Sequence, residues 1–266
     1  SDGSAVPYDG ETGIAALLQR LETDAGYNAT REDGHIISLE RGDAQITLEP
    51  GGQVEYSGPA LASAFACRLA LRQHNQQVTE IARSLGIRFI AGGFCPWGNI
   101  EDVPWLPKRR YTVMRAFMPT VGTLGHEMMK RTATVQANLD YANESEAVER
   151  MRAAFGVTSI VTALFASSPI TRGRPNGYKS YRAAVWLDTD RARCGLIPAA
   201  FEPHFGFERY VDYALDVPLY FVVRDGHFRP AGGLTFRQFM AHGFGEERAT
   251  LGDWEIHLST LFPEVR

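Results

Sequence analysis

Polar and apolar residues alternate without interruption from residue 132 to residue 140, within the segment of residues 131–140. From residue 132 onward the even-numbered positions are all polar, and the odd-numbered positions from 133 to 139 are all apolar. A repeat of two residues is typical of a β-strand whose two faces differ in chemistry. We therefore expect Val135 and Leu139 to pack against helices, and Gln136 and Asn138 to face a polar cleft. The alternative is a solvent-exposed sheet face, although such faces usually carry Lys, Glu and Arg.

A second alternating stretch covers residues 43–57 and is interrupted by the turn sequence Pro50-Gly51-Gly52. If the apolar faces of the two strands pack together, Glu49, Gln53 and Glu55 project together on the opposite side. Two carboxylates held close together repel each other, and a bound cation or a raised pKa relieves the repulsion. Oxygen ligands suit Mg²⁺, which proteins often bind through carboxylates and phosphates. The alternative is two exposed glutamates that flank a loop.

Composition is that of an ordinary globular protein with 266 residues, of which 44% are hydrophobic and 22% are charged. The net charge of −4 gives no electrostatic reason to expect nucleic acid or a membrane as a partner. Cys67, Cys95 and Cys194 are scattered and form no CxxC pair. We expect free thiols in a reducing cytoplasm. The sequence does not indicate an oligomeric state.

Helical and strand patterns follow one another along the whole chain. Helices are predicted for residues 10–24, 60–85, 108–117, 144–166, 206–215, 234–242 and 251–261. Strands are predicted for residues 35–57, 88–93 and 131–140, and for a hairpin of residues 219–229 that turns at Asp225-Gly226. Asp9 is the expected cap of the first helix, and Gly86 is expected to end the second. These patterns favour one α+β domain over residues 1–266, with a largely antiparallel sheet that has helices on one face and a polar active-site face.

Basic residues cluster in two places. The loop of residues 172–182 holds four cations around Pro175-Asn176-Gly177, and it is either an anion-binding loop or a charged surface loop. Lys108 and Arg109 are interpreted as a helix end or a solvated face. The sequence contains no GxxxxGK[ST] motif and no GxSxG motif. The residue patterns alone therefore indicate an acidic, amide-rich sheet flanked by arginines, which suits a metal–nucleotide complex and a small polar substrate.

Ordered motifs across nearly the whole chain resemble the plant and proteobacterial type of glutamate–cysteine ligase. The matching segments are residues 38–40, 48–55, 111–115, 118–119, 121–125, 131–140, 162–165, 168–169, 175–177, 186–190, 205–208, 210–218, 235–239 and 261–266. This resemblance implies a catalytic fold similar to that of glutamine synthetase. It also implies ATP-dependent ligation of the γ-carboxylate of L-glutamate to L-cysteine through a γ-glutamyl phosphate, which is the first step of glutathione synthesis, with Mg²⁺ as the metal.

The resemblance also implies roles for individual residues. Glu49 and Glu55 match metal-ligand and catalytic positions. Residues that match or complete the glutamate-binding site are Arg110, Gln136, Asn138, Arg182 and Tyr220, of which Arg182 is also expected to be catalytic. Arg174 and Lys179 are the expected phosphate contacts.

Relative to this family, the chain is expected to lack an N-terminal strand with a Glu-His-Glu element and a C-terminal segment with an Arg-Gly-Ala-Asp element. Two other functions therefore stay open at this point. One is a related ligase that joins glutamate to another amine. The other is a non-catalytic fragment or paralogue that binds glutamate without turnover.

Overall fold

A computed structural model describes residues 3–263 of the chain, so residues 264–266 of the last family-like motif lie outside the described part. The chain forms two compact units. The first contains the residues up to Tyr111, Met129–Ala133 and Ser168–Gly177, and the second contains Thr112–Met128, Thr134–Ser167 and the residues from Tyr178 onward. That the two units act as one catalytic domain over residues 1–266 stays a prediction.

The first unit is built around a four-stranded antiparallel sheet. Its elements are α1 (Ile14–Ala25), β1 (Asn28–Glu32), β2 (His35–Arg41), β3 (Ala44–Leu48), β4 (Val54–Ser57) and α2 (Ala64–Ser84). The strands lie in the order β1-β2-β3-β4, so each pairs with its neighbour in sequence. Since short turns join such strands, local sequence determines most of this sheet.

Both ends of α2 follow local sequence, whereas the start of α1 does not lie where the sequence predicts it. The hydroxyl of Ser63 accepts a hydrogen bond from the Ala66 backbone N–H at the start of α2, and Gly86 follows the end of α2 with φ of 72°. The expectation that Asp9 caps α1 is wrong, because the N-cap is Gly13. A turn over residues 7–13 separates Asp9 from the helix, since the Ile14 N–H donates to the Pro7 carbonyl.

The core of the first unit lies between the sheet and these two helices. Leu17, Leu18 and Leu21 of α1 and Ile46 and Leu48 of β3 are almost completely buried. The ring of Tyr56 in β4 stacks on His74 of α2, with ring centroids 4.0 Å apart, and burial lowers the pKa of His74 to about 4. One face of β3 and β4 is therefore apolar and covered, as the alternation in residues 43–57 predicts.

The remaining elements are mostly helical. They are α3 (Arg109–Phe117), α4 (Gly125–Arg131), α5 (Glu144–Leu164), β5 (Ile170–Thr171), β6 (Arg174–Pro175), α6 (Tyr181–Leu187), α7 (Phe207–Asp216), β7 (Phe221–Arg224), β8 (His227–Pro230), α8 (Phe236–His242) and α9 (Leu251–Leu258). Asn143 caps α5 by accepting from the Glu146 N–H. The β7–β8 hairpin turns at Asp225 and Gly226, both with positive φ, as predicted. A cluster of apolar side chains from β7, α8 and the turns beside them forms a core in the second unit: Leu219, Val222, Ala231, Phe236 and Phe239.

The α+β class predicted from the sequence is confirmed, since the chain is 43% helical and 16% strand. All three strand groups, β1–β4, β5–β6 and β7–β8, pair in the antiparallel sense. Within residues 3–263, no helix is both long enough and apolar enough to cross a membrane.

The strand predicted for residues 131–140 does not form. Arg131 ends α4, Thr132 makes one isolated bridge with Phe94, and residues 133–140 have no regular secondary structure. Val135 and Leu139 are 90% and 70% exposed, so the prediction that they pack against helices is wrong. The strand predicted for residues 88–93 is also absent. An alternating sequence makes a strand only when a neighbouring strand satisfies its backbone hydrogen bonds. Among the described residues, such pairing is limited to residues 131–133, which bond to residues 93–95.

Candidate functional site

The hairpin of β3 and β4 carries the two carboxylates that the sequence predicts as metal ligands. Thr47 lies opposite Glu55 in the register of the two strands, and the Glu49 N–H donates to the Gln53 carbonyl at 2.9 Å. Because directly paired residues share a face and the faces alternate, Glu49, Gln53 and Glu55 share the face away from the apolar core. The predicted grouping of these three side chains is therefore confirmed.

Glu49 and Glu55 form an electrostatically coupled pair. Glu49 is half-buried and Glu55 is exposed. Burial raises the pKa of Glu49, and the neighbouring carboxylate of Glu55 raises it further, both through its charge and through a hydrogen bond to Glu49. A cation that approaches such an acid stabilises its charged form, the carboxylate.

The chemistry of this pair fits a magnesium ion that takes its remaining ligands from a nucleotide and water. Among residues 3–263, no group of three or more His, Cys, Asp and Glu side chains has the geometry to hold a metal alone. Mg²⁺ commonly uses only one or two protein carboxylates and takes its other ligands from phosphates and water. Glu49 and Glu55 supply that number of carboxylates on one face of a rigid hairpin.

Two cations lie close to the carboxylate pair. The charges of Arg110 and Lys108 both act on Glu49 and oppose the rise in its pKa. The Nε of Arg110 is buried and finds no hydrogen-bond acceptor among the described residues. A buried N–H group without a partner is costly, so a ligand with an acceptor oxygen would bind favourably at this guanidinium. The charge of Arg110 therefore acts on the carboxylate pair, and its substrate-binding role stays a prediction.

Lys108 is a half-buried cation whose interaction with Glu49 the sequence did not predict. It was expected at a helix end or on a solvated face, and it does precede α3, but its side chain is half-buried. Burial lowers the pKa of Lys108 and Arg110 lowers it further, while Glu49, Glu32 and Glu55 oppose this change. No local motif marks this position, because the interaction joins residues about 60 positions apart.

Tyr111 is the second residue that the sequence interpretation missed. Its hydroxyl donates a 2.5 Å hydrogen bond to the Leu48 carbonyl, next to Glu49 in the chain. Burial, followed by the charge of Glu49, raises the pKa of Tyr111 far above its ordinary range, so the phenol stays protonated as a donor. This bond fixes the start of α3 against the end of β3 and thereby sets the distance from Arg110 to Glu49.

The turn between the two carboxylates rests on residues 129–132. The Oε1 of Gln53 accepts from the Gly51 N–H at 3.0 Å, and its Nε2 donates to the carbonyls of Met129 and Thr132 at 3.2 and 2.9 Å. A Cβ on Gly51 would lie only 2.2 Å from the Lys130 carbonyl oxygen. The turn needs glycine at this position because the backbone of Lys130 occupies the space of a side chain.

The end of α4 that supports this turn is itself held by buried cations. Arg131 is 2% exposed and donates to the carbonyls of Cys95, Trp97 and Gly98. The ammonium of Lys130 donates to the Ile100 carbonyl at 2.6 Å. The Trp- and Pro-rich loop of residues 95–107, which contains these carbonyls, is therefore part of the framework of the carboxylate hairpin.

The four other predicted glutamate-binding residues belong to the second unit. Arg182 is half-buried in α6, with its guanidinium 5.9 Å from the centre of the Trp186 ring. Tyr220 is 2% exposed and packs its ring against the Arg193 guanidinium at 3.6 Å. The exposed side chains of Gln136 and Asn138 hydrogen-bond to each other at 2.8 Å. A substrate-binding role for these four residues stays a prediction.

The side chains of the two predicted phosphate contacts are exposed. Arg174 is exposed in β6, and the β5–β6 hairpin turns through Arg172 and Gly173, both with positive φ. Lys179 is exposed and precedes α6. Their exposure is compatible with anion binding and with a charged surface loop alike, so their assignment also stays a prediction.

A cavity of about 370 Å³ in the second unit lies apart from these residues. Its lining is mostly charged, and it comprises Glu144, His204, Gly206, Glu208, Arg209 and Asp212. The carboxylate of Glu144 accepts from the Phe207 N–H at 2.6 Å and so stabilises the first turn of α7. This hydrogen bond gives Glu144 a structural role, and none of the site residues predicted from the sequence lines the cavity.

The chain is similar over most of its length to several known proteins that carry the same name. The chain is 46% identical over 256 residues to the glutamate–cysteine ligase, chloroplastic, of Brassica juncea, and this match covers 95% of the chain and 50% of the relative. The protein of the same name from Arabidopsis thaliana is 46% identical, with 95% and 49% covered. Glutamate–cysteine ligase B, chloroplastic, of Oryza sativa subsp. japonica is also 46% identical, with 95% and 52% covered.

These relatives set two limits. The chain spans about half the length of the relatives that it matches. The expectation of a cytoplasmic location is wrong, because these relatives are named as chloroplastic proteins. The free cysteines that led to this expectation indicate a reducing environment and do not distinguish one compartment from another.

The sequence profile of glutamate-cysteine ligase family 2 matches residues 1–266, and the chain therefore belongs to this family.

Proposed function

We propose that this chain supplies the metal–nucleotide and glutamate-binding part of an ATP-dependent ligase that joins the γ-carboxylate of L-glutamate to L-cysteine. The names of the relatives support the two amino-acid substrates. The observation that carries the proposal is the joint position of Glu49, Glu55 and Arg110, two coupled carboxylates beside a guanidinium with a buried N–H that has no protein acceptor.

In this proposal Glu49 and Glu55 hold Mg²⁺ on the polar face of the hairpin. Bound Mg²⁺ would neutralise charge on ATP oxygens during phosphoryl transfer to the γ-carboxylate of glutamate. The protein's own contribution is to hold both carboxylates on the same face of the hairpin. Tyr111 and Gln53 do this by holding the two sides of the turn, because Tyr111 donates to the Leu48 carbonyl and Gln53 donates to the Thr132 carbonyl.

Arg110 binds the substrate α-carboxylate in this proposal. A guanidinium presents two parallel N–H groups that match the two oxygens of a carboxylate, whereas an ammonium does not. The family resemblance supports Arg182 and Tyr220 as further glutamate contacts, with Gln136 and Asn138 completing the pocket. It supports Arg174 and Lys179 less directly, as phosphate contacts, and Arg182 as the third catalytic residue beside Glu49 and Glu55.

Calorimetry of Mg²⁺–ATP binding tests the metal assignment directly. We expect Glu49→Gln and Glu55→Gln to weaken binding at least tenfold while the circular dichroism spectrum stays unchanged. Unchanged affinity in both variants contradicts the proposal. Glu40→Gln is the matched control, because Glu40 is an exposed carboxylate of the same sheet, at the end of β2.

An assay of ADP release separates this reaction from the two alternatives that the sequence leaves open. Glutamate is supplied with cysteine or with other primary amines, one at a time. Release that depends on cysteine supports the proposal. Release with a different amine identifies a related ligase, and glutamate binding without ADP release identifies a non-catalytic glutamate-binding protein.

A further inference from the structure

A buried arginine of the second unit binds several groups at once. Arg193 is completely buried, and its Nε donates to the Asp190 carboxylate at 2.6 Å. One of its terminal nitrogens donates to the hydroxyl of Thr260 at 3.1 Å, and the other donates to the carbonyl of Pro218. The guanidinium thus has one ion-pair partner and two neutral acceptors, which fix both its position and the orientation of its plane.

The face of this guanidinium covers the ring of Tyr220. The central carbon of the Arg193 guanidinium lies 3.6 Å from the ring centroid, well inside the range of a cation–π contact. The rings of Phe117 and Tyr220 meet in a T-shaped arrangement, with centroids 4.8 Å apart and planes at 74°. The Tyr220 hydroxyl lies 3.9 Å from the Met118 sulfur. Contacts along the ring and at the hydroxyl therefore hold the side chain in one orientation.

The backbone of Tyr220 is held by separate hydrogen bonds. Its carbonyl accepts from the Ala231 N–H at 3.2 Å, and the Leu219 N–H donates to the Leu234 carbonyl at 2.8 Å. These bonds join the two sides of the β7–β8 hairpin and do not involve Arg193. Removal of the guanidinium should therefore change the direction of the Tyr220 ring more than the path of the backbone.

We propose that Arg193 is a positioning residue for glutamate binding that acts through Tyr220, by holding the phenol ring in the orientation from which its hydroxyl meets the substrate. The inference rests on the proposed function, because it takes Tyr220 as a glutamate contact. Arg193 is itself paired with Asp190 and does not serve as a carboxylate-binding arginine. A thioether is a weak acceptor, so a substrate carboxylate oxygen is a stronger partner than Met118 for the Tyr220 hydroxyl.

A purely structural role is the alternative explanation for Arg193, since a buried arginine with three acceptors stabilises the fold in any case. The two explanations differ in what they predict for the Tyr220 ring, which can be observed directly. The chain is labelled with 3-fluorotyrosine, and the fluorine NMR signal of Tyr220 is identified by its absence from Tyr220→Phe. This readout requires no ligand.

Two variants remove the support of the ring to different extents. Arg193→Lys keeps the charge and loses the plane that covers the ring. We expect the Tyr220 signal to shift or broaden, and the Kd for glutamate, measured by calorimetry, to rise about fivefold, as for the loss of one hydrogen bond. Thr260→Val removes one acceptor of the guanidinium at nearly constant side-chain shape. It should move the Tyr220 signal in the same direction and raise the Kd about twofold, and it decides the question if Arg193→Lys does not fold.

Arg224→Lys is the matched control for the loss of an arginine's bonds in the same unit. Arg224 is half-buried and pairs with Glu247 and Asp253, which are not the groups that hold the Tyr220 ring. This variant should lower the thermal stability of the chain. The Tyr220 signal should stay in place, and the Kd for glutamate should stay within about twofold of the wild type.

A double-mutant cycle shows whether Arg193 acts through the Tyr220 hydroxyl. If it does, Arg193→Lys should not weaken glutamate binding further in a chain that already carries Tyr220→Phe. A Tyr220 signal that is unchanged in both Arg193→Lys and Thr260→Val overturns the inference. A loss of glutamate affinity that is equal with and without the Tyr220 hydroxyl also overturns it, because Arg193 would then act independently of Tyr220.

The same measurements distinguish failure of this inference from failure of the proposed function. If Tyr220→Phe binds glutamate as tightly as the wild type, the assignment of Tyr220 in the proposed function is wrong, and the inference is overturned with it. Absence of glutamate binding in the wild type has the same meaning. If Tyr220→Phe weakens glutamate binding and Arg193→Lys does not, the assignment of Tyr220 stands and only the inference about Arg193 is wrong.

Discussion

The amide nitrogen of Gln53 donates to the carbonyl of Thr132 at 2.9 Å, which ties the carboxylate hairpin to the end of a helix 79 residues further along the chain. The same side chain binds Met129 and Gly51. A single glutamine therefore joins the turn of the carboxylate hairpin to the backbone of residues 129–132. Its neighbours Glu49 and Glu55 keep their relative geometry because this side chain holds the turn between them.

Loss of this glutamine should weaken both stability and metal binding. Gln53→Ala removes three hydrogen bonds, so we expect a loss of about 2–3 kcal/mol in the free energy of unfolding, at roughly 1 kcal/mol each. Urea denaturation measures this loss, and Mn²⁺ affinity should fall in the same variant. Gln45→Ala is the control, since Gln45 lies in the same hairpin with one exposed side-chain bond and should cost less than about 0.5 kcal/mol. Equal losses in the two variants would contradict the anchoring role.

The turn should not tolerate a side chain at Gly51. A Cβ there would lie 2.2 Å from the Lys130 carbonyl oxygen, so Gly51→Ala should destabilise the protein by about 1–3 kcal/mol through overpacking. Thermal unfolding by calorimetry provides the measurement. Gly156→Ala is the opposite control, because a Cβ at this position in α5 meets nothing within 4 Å and should stabilise by roughly 0.5–1 kcal/mol. A stabilised Gly51→Ala variant would show that the turn does not rest on Lys130.

The raised pKa of Glu49 predicts how stability depends on pH in the absence of metal. The folded protein holds this proton more tightly than the unfolded chain, so the stability due to Glu49 falls as pH rises from about 4 through the raised pKa. In EDTA, Glu49→Gln should therefore resist urea better than wild type at pH 8 and equally well near pH 4. Saturating Mg²⁺ should reverse the order at pH 8, because only the wild type keeps the ligand. A wild type that is the more stable protein at pH 8 in EDTA would contradict the coupled-pair assignment.

Exposure of residues 133–140 predicts the effect of truncating their apolar side chains. Leu139 is 70% exposed, so Leu139→Ala should change the free energy of unfolding by less than about 0.5 kcal/mol. Leu48→Ala should cost about 2–5 kcal/mol, because Leu48 is 2% exposed in the sheet core. Chemical denaturation of both variants is the measurement. A cost above 2 kcal/mol for Leu139→Ala would restore the helix-covered strand that the alternation predicts.

Recognition of a carboxylate should depend on the shape of Arg110 and not only on its charge. Arg110→Lys keeps the charge but loses the paired N–H groups, so glutamate affinity should fall by about 1–3 kcal/mol. Calorimetric titration with glutamate measures the effect, and Arg109→Lys is the control because Arg109 pairs with Asp33 at the surface. Wild-type affinity in Arg110→Lys would leave Arg110 as a neutralising charge without a substrate contact.

Local sequence determined the elements whose partners are close in the chain. The alternation in residues 43–57 with its Pro-Gly-Gly turn was enough to predict that Glu49 and Glu55 share a face. The turn at Asp225-Gly226, the cap at Asn143 and the helix end at Gly86 follow from side-chain size and hydrogen bonding within a few residues. Structural features that depend on such short-range interactions can be predicted from a single sequence.

Tertiary structure alone decided which distant groups meet. Lys108, Arg110 and Tyr111 lie beside Glu49 because α3 begins against the end of β3, a contact across about 60 residues that no motif encodes. The alternation in residues 131–140 failed for the same reason, since a strand exists only where another backbone accepts and donates its hydrogen bonds. The sequence thus determined the two faces of each segment, whereas long-range pairing determined which faces are covered and which charges lie close enough to act on each other.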